Sequence, residues 1–537
     1  MGVSRAYRVG SPFNGAELAE IDFEQTADTM FLAHIDHAPS KLIRGGHTDW
    51  SFVDITFGAS LAAPAGVSVT ATTPNTDAAN SGNNYFPQPA SYVVTAVDDD
   101  TGQESAASAS DSATNDLTLK RNYNTITWSA ATGASRYNIY KSDNSRFYGY
   151  IGSTDGLTFR DDNIGPALDR APPEAFNPFT GAGDYPSTVT LFEQRSIWAR
   201  TYNSPNGVWA SRSAMFENMD RSRPLRADDS LSFSIVAGRV NSVNQLVSTT
   251  GLLALTSDSI FTIDGDGSGG ILTGNSPPAT RRQIGRGSSR LPPLVVDNVV
   301  FYSPSVGNSV RTINYSFEVD GLKSNDVSIF SPHFFVGFEI VAWCYSQEPR
   351  SLIWAVRSDG KLLCFTWEQE QAVWGWTLCE TDGSVLSICS ISEGGEDRVY
   401  LIVERMVAGV ARRFVERMVS HRWDAIEDTC FMDCAVSAQF ATPQTSFTGL
   451  WHLEGRTDVV GIVDGASVTG LTVTNGEVTL PETVPTGNKV SFGIPYRVEV
   501  ETLPYKAVMP GTGTNIGRRQ QVGDVVLSLQ DTRTIYA

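Results

Sequence analysis

The sequence predicts an all-β protein, and three observations lead to that fold class. Short apolar runs of about six residues recur along the chain, and turn pairs such as Asp359-Gly360, Asp382-Gly383 and Ala408-Gly409 separate them. Glycine accepts the positive φ that tight hairpins require. The 47 glycines and 26 prolines among 537 residues suit a chain that is dense in turns. Short strands at regular spacing indicate a propeller or a sandwich rather than an α/β enzyme.

Composition and charge narrow the class of protein further. A hydrophobic content of 41% is enough for packed cores, and the length suits three or four domains. The formal net charge of −19 disfavours ordinary nucleic-acid binding, which needs Lys and Arg to neutralise phosphates. An anionic surface would let DNA pass without binding it, or would simply keep the protein soluble. The N-terminus lacks an apolar signal core, so we expect no standard export.

Six cysteines lie within one third of the chain, and their spacing is not that of a zinc site. Several fall in apolar strands, as in LLCF and SICSI, where a free thiol behaves as a small hydrophobic group. The sequence therefore predicts reduced core thiols, no metal and no cofactor. The cysteines are Cys344, Cys364, Cys379, Cys389, Cys430 and Cys434.

The first two predicted units are an N-terminal β platform at 1–61 and an insert at 62–170. The insert is rich in Ser, Thr and Ala and contains ITWSAATGASRYNIYKS, followed by TFRDDNI. This pattern places Trp128 inward on one strand and Tyr137 on the next. It resembles fibronectin type III modules, which are β-sandwiches of about 100 residues. The resemblance implies a sandwich and leaves the role of the insert open.

The two remaining units are a propeller body at 171–430 and a C-terminal β-barrel or platform segment at 431–537. The body begins with a Pro-rich linker, APPEAFNPF, at 171–179. Its short strands predict several blades, but without an exact repeat the blade number stays open. Bulky aromatic residues are expected to support the blade cores. These residues are Trp198, Trp209, Trp354, Trp374 and Trp376.

Two patterns in the sequence are candidate metal sites. Asp264 and Asp266 lie two residues apart in the Gly-rich turn IDGDGSGG, which calcium accepts, but the closing Glu of an EF-hand is missing. A bare turn at a blade edge is therefore favoured. His34 and His37 form HxxH, yet within one strand a spacing of three places them on opposite faces, which favours packing over metal binding.

The sequence also bears on whether the protein has a catalytic site. The sequence has no nucleophile elbow, HExxH or P-loop, so we predict that the protein is not an enzyme. VERM occurs twice, which places Glu404 beside Arg405 and Glu416 beside Arg417. Across a hairpin this repetition favours ion pairing over acid/base chemistry. Sugar-cleaving propellers exist, so a glycosidase is not excluded by fold alone.

Four blocks of sequence, in this order, resemble the tail nozzle proteins (tail tubular protein B type) of short-tailed bacteriophages. The resemblance covers nearly the whole chain except 62–170. The blocks are GSPFNGAELAEIDFEQTADTMFLAHIDHAPSKLIRGGHTDW at 10–50, VTLFEQRSIWARTYNSPNGVWASRSAMFENM at 189–219, ALTSDSIFTIDG with DGKLLCFTWEQEQAVWGW, and GLWHLEG to VSFGIPY at 449–496.

The resemblance implies a structural subunit of a homo-hexameric tube in the virion tail, made in the cytoplasm of the bacterial host. The tube would lie below the head-to-tail adaptor ring, contact tail fibres or spikes, and meet the host cell surface at its distal end. It would retain double-stranded DNA and then conduct it during ejection, without sequence-specific binding. The alternative is a tail component that binds a receptor or cleaves a glycan, in which aromatic residues serve as sugar platforms.

Two basic clusters are candidate contacts with phosphate or with an acidic neighbouring subunit. We favour pairing between subunits, because a tight grip on DNA would slow ejection. Charge reversal at Arg281 and Arg282 is then expected to impair ring assembly. The first cluster is Arg281, Arg282, Arg286 and Arg290, and the second is Arg518 and Arg519.

Overall fold

The computed structural model describes residues 7–76, 85–143, 146–236, 241–265, 270–420, 422–500, 508–509, 513–514 and 526–528. All structural statements below concern these residues. Strands dominate this part of the chain, and its helices are four short 3-10 turns. These turns are Leu18–Glu20, Pro332–Phe334, Ile426–Asp428 and Trp451–Leu453. None of the described helices is long and apolar enough to cross a membrane.

The chain begins with a four-stranded antiparallel sheet, blade 1, which a two-sheet sandwich follows. Blade 1 contains β1 (Asp22–Thr26), β2 (Thr29–His34), β3 (His37–Gly46) and β4 (Asp49–Asp54). The sandwich contains β5 (Ser68–Thr72), β6 (Gln88–Val97), β7 (Asp111–Asn115), β8 (Tyr123–Thr127), β9 (Arg136–Ser142), β10 (Gly149–Thr154) and β11 (Thr158–Asp161). Its sheets have the orders β10-β9-β6-β7 and β11-β8-β5.

Five further antiparallel sheets, blades 2 to 6, follow in chain order. Blade 2 contains β13 (Thr188–Phe192), β14 (Arg195–Ala199), β15 (Gly207–Ala210) and β17 (Leu231–Ser234), while β12 (Ala171–Glu174) pairs with β16 (Arg221–Arg223). Blade 3 contains β18 (Val243–Ser248), β19 (Leu252–Thr256), β20 (Ile260–Asp264) and β21 (Ala279–Ile284). Blade 4 contains β22 (Leu294–Val296), β23 (Val299–Tyr302), β24 (Arg311–Ser316) and β25 (Gly321–Asp326). Blade 5 contains β26 (Ile340–Ser346), β27 (Leu352–Arg357), β28 (Leu362–Glu368) and β29 (Val373–Cys379), and blade 6 contains β30 (Ser384–Glu393), β31 (Glu396–Val407) and β32 (Val410–Arg417).

The C-terminal unit contains a four-stranded sheet of order β33-β38-β35-β36 and a two-stranded sheet of β34 and β37. Both sheets contribute to one apolar core that includes Phe447, Val459 and Phe492. The strands are β33 (Asp433–Gln444), β34 (Ser446–Thr448), β35 (Val459–Val463), β36 (Ala466–Leu471), β37 (Glu477–Thr479) and β38 (Gly487–Ile494), followed by the short pair β39 (Val508–Met509) and β40 (Gly513–Thr514).

Successive blades pack face to face, with a shared apolar core between each blade and the next. This arrangement confirms the predicted all-β fold with a propeller. Representative pairs across the five interfaces are Phe31 with Trp198, Val208 with Phe261, Leu255 with Val300, Phe301 with Ile353, and Trp354 with Val403. The boundaries at 61, 170 and 430 stay predictions, but blade 1 stacks on blade 2 in the same way as the later blades stack.

Trp198 shows how blade 1 is joined to the body. It is fully buried, and its ring contacts those of Phe31, Phe57 and Phe179 with centroids 5.8–6.4 Å apart. Phe179 belongs to the Pro-rich stretch 171–179, so the interpretation of that stretch as a linker was wrong. Part of it forms β12 and part of it enters the core, because its phenylalanines supply apolar surface that the two blades bury.

The predicted support of blade cores by tryptophans holds for most of the five. Trp198, Trp354 and Trp376 are buried, and Trp209 packs half-buried against the same core as Trp198. Trp374 is instead exposed, because it lies on β29, which is the edge strand of blade 5. The sandwich core matches its prediction, since Trp128 is buried 5.4 Å from the ring of Tyr137.

Candidate assembly surface

Blade 6 ends the stack, and its two faces have different surroundings. One face packs on blade 5 through Leu401 and Val403. Because side chains alternate along a strand, Ile402 and Met406 point to the opposite face, and the register places Val415 of β32 beside Ile402. Val415 is 76% exposed and Met406 is 65% exposed. Within the described chain, no apolar core includes these three side chains. We call them the outward face of blade 6.

The other end of the stack is blade 1. Phe31 and Ala33 face blade 2, so the alternation of β2 turns Met30 to the opposite side. We call the apolar side chains there, Phe23, Met30, Leu42 and Phe52, the outward face of blade 1. Phe23 is 57% exposed and the other three are half-buried. Phe13 packs on Phe52 and on His34, with ring centroids 6.3 and 5.9 Å apart, and covers part of this face. Leu32, which alternation places on the same side as Met30, is buried.

The two outward faces lie in regions of opposite charge balance. Strand β32 carries three arginines and one glutamate, whereas residues 7–54 carry eight carboxylates and three Lys or Arg side chains. Two of these carboxylates, Asp22 and Glu24, bond to blade 2 and do not belong to the outward face. On the outward face of blade 6, Arg413 lies 3.0 Å from Glu404, and Arg417 lies 3.4 Å from Glu393. These pairs are exposed and each is worth less than about 1 kcal/mol, so the arginines remain available to other carboxylates.

Strand β32 is also an edge. Among the described residues blade 6 has three strands and the other five blades have four, so β32 pairs with β31 on one side alone. An edge strand leaves a row of backbone donors and acceptors without sheet partners. The arginines of β32 are the type of side chain that blunts such an edge against indiscriminate strand pairing.

The repeated VERM sequence forms cross-strand ion pairs, as predicted. Arg405 donates from Nε and Nη2 to both oxygens of Glu416 at 2.6 and 2.7 Å, and from Nη1 to Thr381 Oγ1 at 2.9 Å. The guanidinium is almost fully buried at the contact with the C-terminal unit. Its hydrogen bonds and charge partner raise the pKa of Arg405 against the opposing effect of burial. The pair therefore fixes the hairpin.

The first arginine cluster is spread over several places. Arg281 and Arg282 are exposed on β21, the outer strand of blade 3, and as consecutive strand residues they point to opposite faces. Arg286 and Arg290 are exposed in the connection to blade 4, and Arg290 Nη1 lies 3.7 Å from Glu20 Oε2. The structure thus does not gather the four guanidiniums on one face, and their role in assembly stays a prediction.

Two other predicted sites lie partly or wholly outside the described residues. Arg518 and Arg519 are outside them, as is Asp266. Asp264 ends β20 at the start of the Gly-rich turn. Within the described residues, no group of three or more His, Cys, Asp and Glu side chains has a geometry that holds a metal ion.

The prediction for the histidines was wrong in its geometry. His34 ends β2 and His37 begins β3, and the two are cross-strand partners with ring centroids 5.0 Å apart. Ile35 and Asp36 form the turn between them, which a single-strand reading of FLAHIDH overlooked. His34 is buried and its Nδ1 accepts from the Asp36 amide, while His37 Nε2 lies 3.0 Å from Glu17 Oε2. The pair thus anchors the segment before β1.

All six cysteines are free thiols. Burial raises the pKa of Cys344, Cys364 and Cys434 to about 12 and that of Cys379 to about 11. These thiols therefore stay protonated at neutral pH and are poor nucleophiles. Cys389 differs, because it lies exposed on β30.

Comparisons with known proteins add little to this picture. No protein-family model matches the chain, and no curated protein matches it. Among solved structures, the WD40 domain of Neurospora crassa Pan2 is 7% identical over 71% of this chain and 84% of that chain, with a TM-score of 0.29. A luciferin-regenerating enzyme is 7% identical over 57% of this chain and 90% of that chain, with a TM-score of 0.25. At these TM-scores neither likeness bears on function, and the propeller assignment depends on the blades themselves.

Proposed function

We propose that this protein is a structural, non-enzymatic subunit of a phage tail nozzle. Six copies would form a tube that holds double-stranded DNA and then conducts it during ejection. The sequence blocks that resemble tail nozzle proteins support this type of assembly. The alternative, a tail component that binds a receptor or cleaves a glycan, is distinguished by the experiment below.

The observation that carries the proposal is the set of exposed apolar side chains on the sheet faces at the two ends of the blade stack. A sheet normally buries its apolar face against another layer, and exposed apolar patches mark protein interfaces. Val415 and Met406 at one end and Phe23 at the other are more than half exposed. A subunit with two such ends is suited to an assembly of several copies.

The charge of the chain supports the conduit role. Duplex DNA carries about one negative charge per 1.7 Å, and a lumen lined by carboxylates would repel it. Screening limits this repulsion to about 8 Å at physiological salt, so it acts within a narrow bore and fades outside it. A net charge of −19 per subunit supplies the carboxylates.

The test is the assembly state of the purified full-length chain, measured by mass photometry and by negative-stain imaging. The proposal predicts rings of six copies around a central opening. A chain that stays monomeric at all concentrations contradicts it. Trimers, together with release of reducing sugar from host polysaccharide, would support the alternative.

A further inference from the structure

We propose that the outward face of blade 6 docks on the outward face of blade 1 of a neighbouring copy, so that the blade stack continues from subunit to subunit. This inference depends on the proposed ring and names the surfaces that hold it together. The occupant of each face is a second copy of this chain.

The packing already present in the chain supports this pairing. Five successive interfaces are sheet on sheet, each with an apolar core. The two terminal faces carry the same kind of side chain: Ile402, Met406 and Val415 at one end, and Phe23, Met30 and Phe52 at the other. Two such faces meet at about 10 Å between sheets, which is the spacing at which their side chains interdigitate.

Charge complementarity between the two faces also supports this pairing. Arg413 and Arg417 are exposed on the outward face of blade 6. Blade 1 offers carboxylates, among them Asp54, which the register places on its outward side opposite Ser40 and which is exposed. Each of these arginines has one glutamate partner, and the pairs are exposed and weak, so the arginines can also contact Asp54 of another copy. Two blade 1 faces would instead oppose Asp54 to Asp54. Charge therefore favours the mixed pairing.

The symmetry of a ring also requires two different contact surfaces on each subunit. An interface between two different surfaces is heterologous, and such interfaces produce a closed ring when the rotation per subunit closes. A contact between identical faces of two copies is isologous and would produce a dimer, not a ring. The pairing of blade 6 with blade 1 therefore produces the kind of assembly that the proposed function requires.

The test replaces one exposed side chain and follows ring formation by mass photometry. Val415→Glu places a carboxylate opposite the acidic blade 1 and is expected to lower the association constant about tenfold or more. Val415→Lys puts a charge of the favoured sign at the same position and is expected to weaken assembly less. The matched control is Val306→Glu, because Val306 is 82% exposed in the β23–β24 connection of blade 4, which is neither of the two terminal blades. Equal assembly of Val415→Glu and the control overturns the inference.

A photo-crosslinking amino acid at position 415 identifies what covers the face. We expect crosslinked peptides from residues 22–54 of another copy, in the full-length assembled protein. Crosslinks to residues 501–537, or to the C-terminal unit, would overturn the inference by naming a different occupant. Unchanged circular dichroism and melting temperature in the variants show that loss of rings does not come from misfolding.

The two proposals fail in different ways. If the unmodified chain forms no rings, the proposed function fails and the inference fails with it. If the unmodified chain forms rings that Val415→Glu leaves intact, the proposed function stands and the pairing of blade 6 with blade 1 is wrong.

Discussion

At the scale of single residues, Asp22 is a carboxylate whose environment makes stability depend on pH. Its Oδ2 accepts hydrogen bonds from Thr188 Oγ1 at 2.5 Å and from the Val189 amide at 3.1 Å, so it links β1 of blade 1 to β13 of blade 2. Burial raises the pKa of Asp22 to about 6. The folded state therefore prefers the protonated carboxyl, and the stability that this group contributes is complete below about pH 4 and lost as the pH rises through 6.

We expect Asp22→Asn to stabilise the protein at pH 7.5 by about 1–3 kcal/mol, because the amide has no charge to bury and its oxygen accepts the same two hydrogen bonds. Thermal melts at pH 4 and pH 7.5 measure the effect. The gain in melting temperature should appear at pH 7.5 and vanish at pH 4. Asp155→Asn, in an exposed turn of the sandwich, is the control. A variant that melts below the wild type at pH 7.5 would contradict this explanation.

Some residues were predictable from sequence and others were not, for physical reasons. The prediction that Trp128 points inward was correct, because a large aromatic side chain in an alternating strand favours the buried face. The contact between His34 and His37 was missed because Ile35-Asp36 lacks the Gly or Asn that usually marks a two-residue turn. The carboxylate of Asp22 gave no signal, since its burial comes from β13, which lies more than 160 residues away in the chain.

At the scale of elements, the β31–β32 hairpin contains two ion pairs of the same chemistry in opposite environments. The Arg405 side chain is 4% exposed, whereas that of Arg413 is 70% exposed. A buried charge left without its partner is costly, while an exposed pair contributes little. The contribution of a buried ion pair to stability can therefore be compared with that of an exposed ion pair within one hairpin.

We expect Arg405→Ala to destabilise the protein by about 3 kcal/mol, because it leaves Glu416 beside the C-terminal unit without its bidentate donor. Arg413→Ala should cost less than about 0.5 kcal/mol. Urea unfolding followed by tryptophan fluorescence compares the two variants. Equal midpoints would show that the buried pair does not hold the hairpin in place.

The sequence predicted strands and hairpins better than it predicted their neighbours. Ala408-Gly409 was placed correctly between β31 and β32, because alternating apolar residues on both sides leave one turn position. The prolines of 171–179 predict an irregular linker. In the structure, however, Phe179 packs on Trp198. The sequence also predicts blade 1 as a unit separate from the propeller. The cause is the sandwich, which interrupts the chain between two blades that pack together. Local patterns do not contain such long-range contacts.

At the scale of the whole molecule, the excess of carboxylates bears on the proposed passage of DNA. Non-specific binding to duplex DNA comes from Lys and Arg that neutralise phosphates. Here 59 acidic side chains oppose 40 basic ones, and the first arginine cluster is divided between two faces of β21 and a connection. A duplex would therefore pass the surface without being retained.

We expect no binding of duplex DNA tighter than about 10⁻⁴ M at 150 mM salt, measured by fluorescence anisotropy with a labelled 30-mer. Lowering the salt should not produce tight binding, because few counterions are released from the phosphates. A micromolar affinity with a steep salt dependence would show that basic side chains dominate the accessible surface, and would contradict passage without binding.

The most direct measurement is a cryo-EM reconstruction of the particles that the full-length chain forms. We expect a ring of six subunits, with Val415 of each copy facing blade 1 of the next, and a lumen with more Asp and Glu than Lys and Arg. A chain that remains monomeric, or a ring whose lumen is lined by Lys and Arg, would contradict the nozzle.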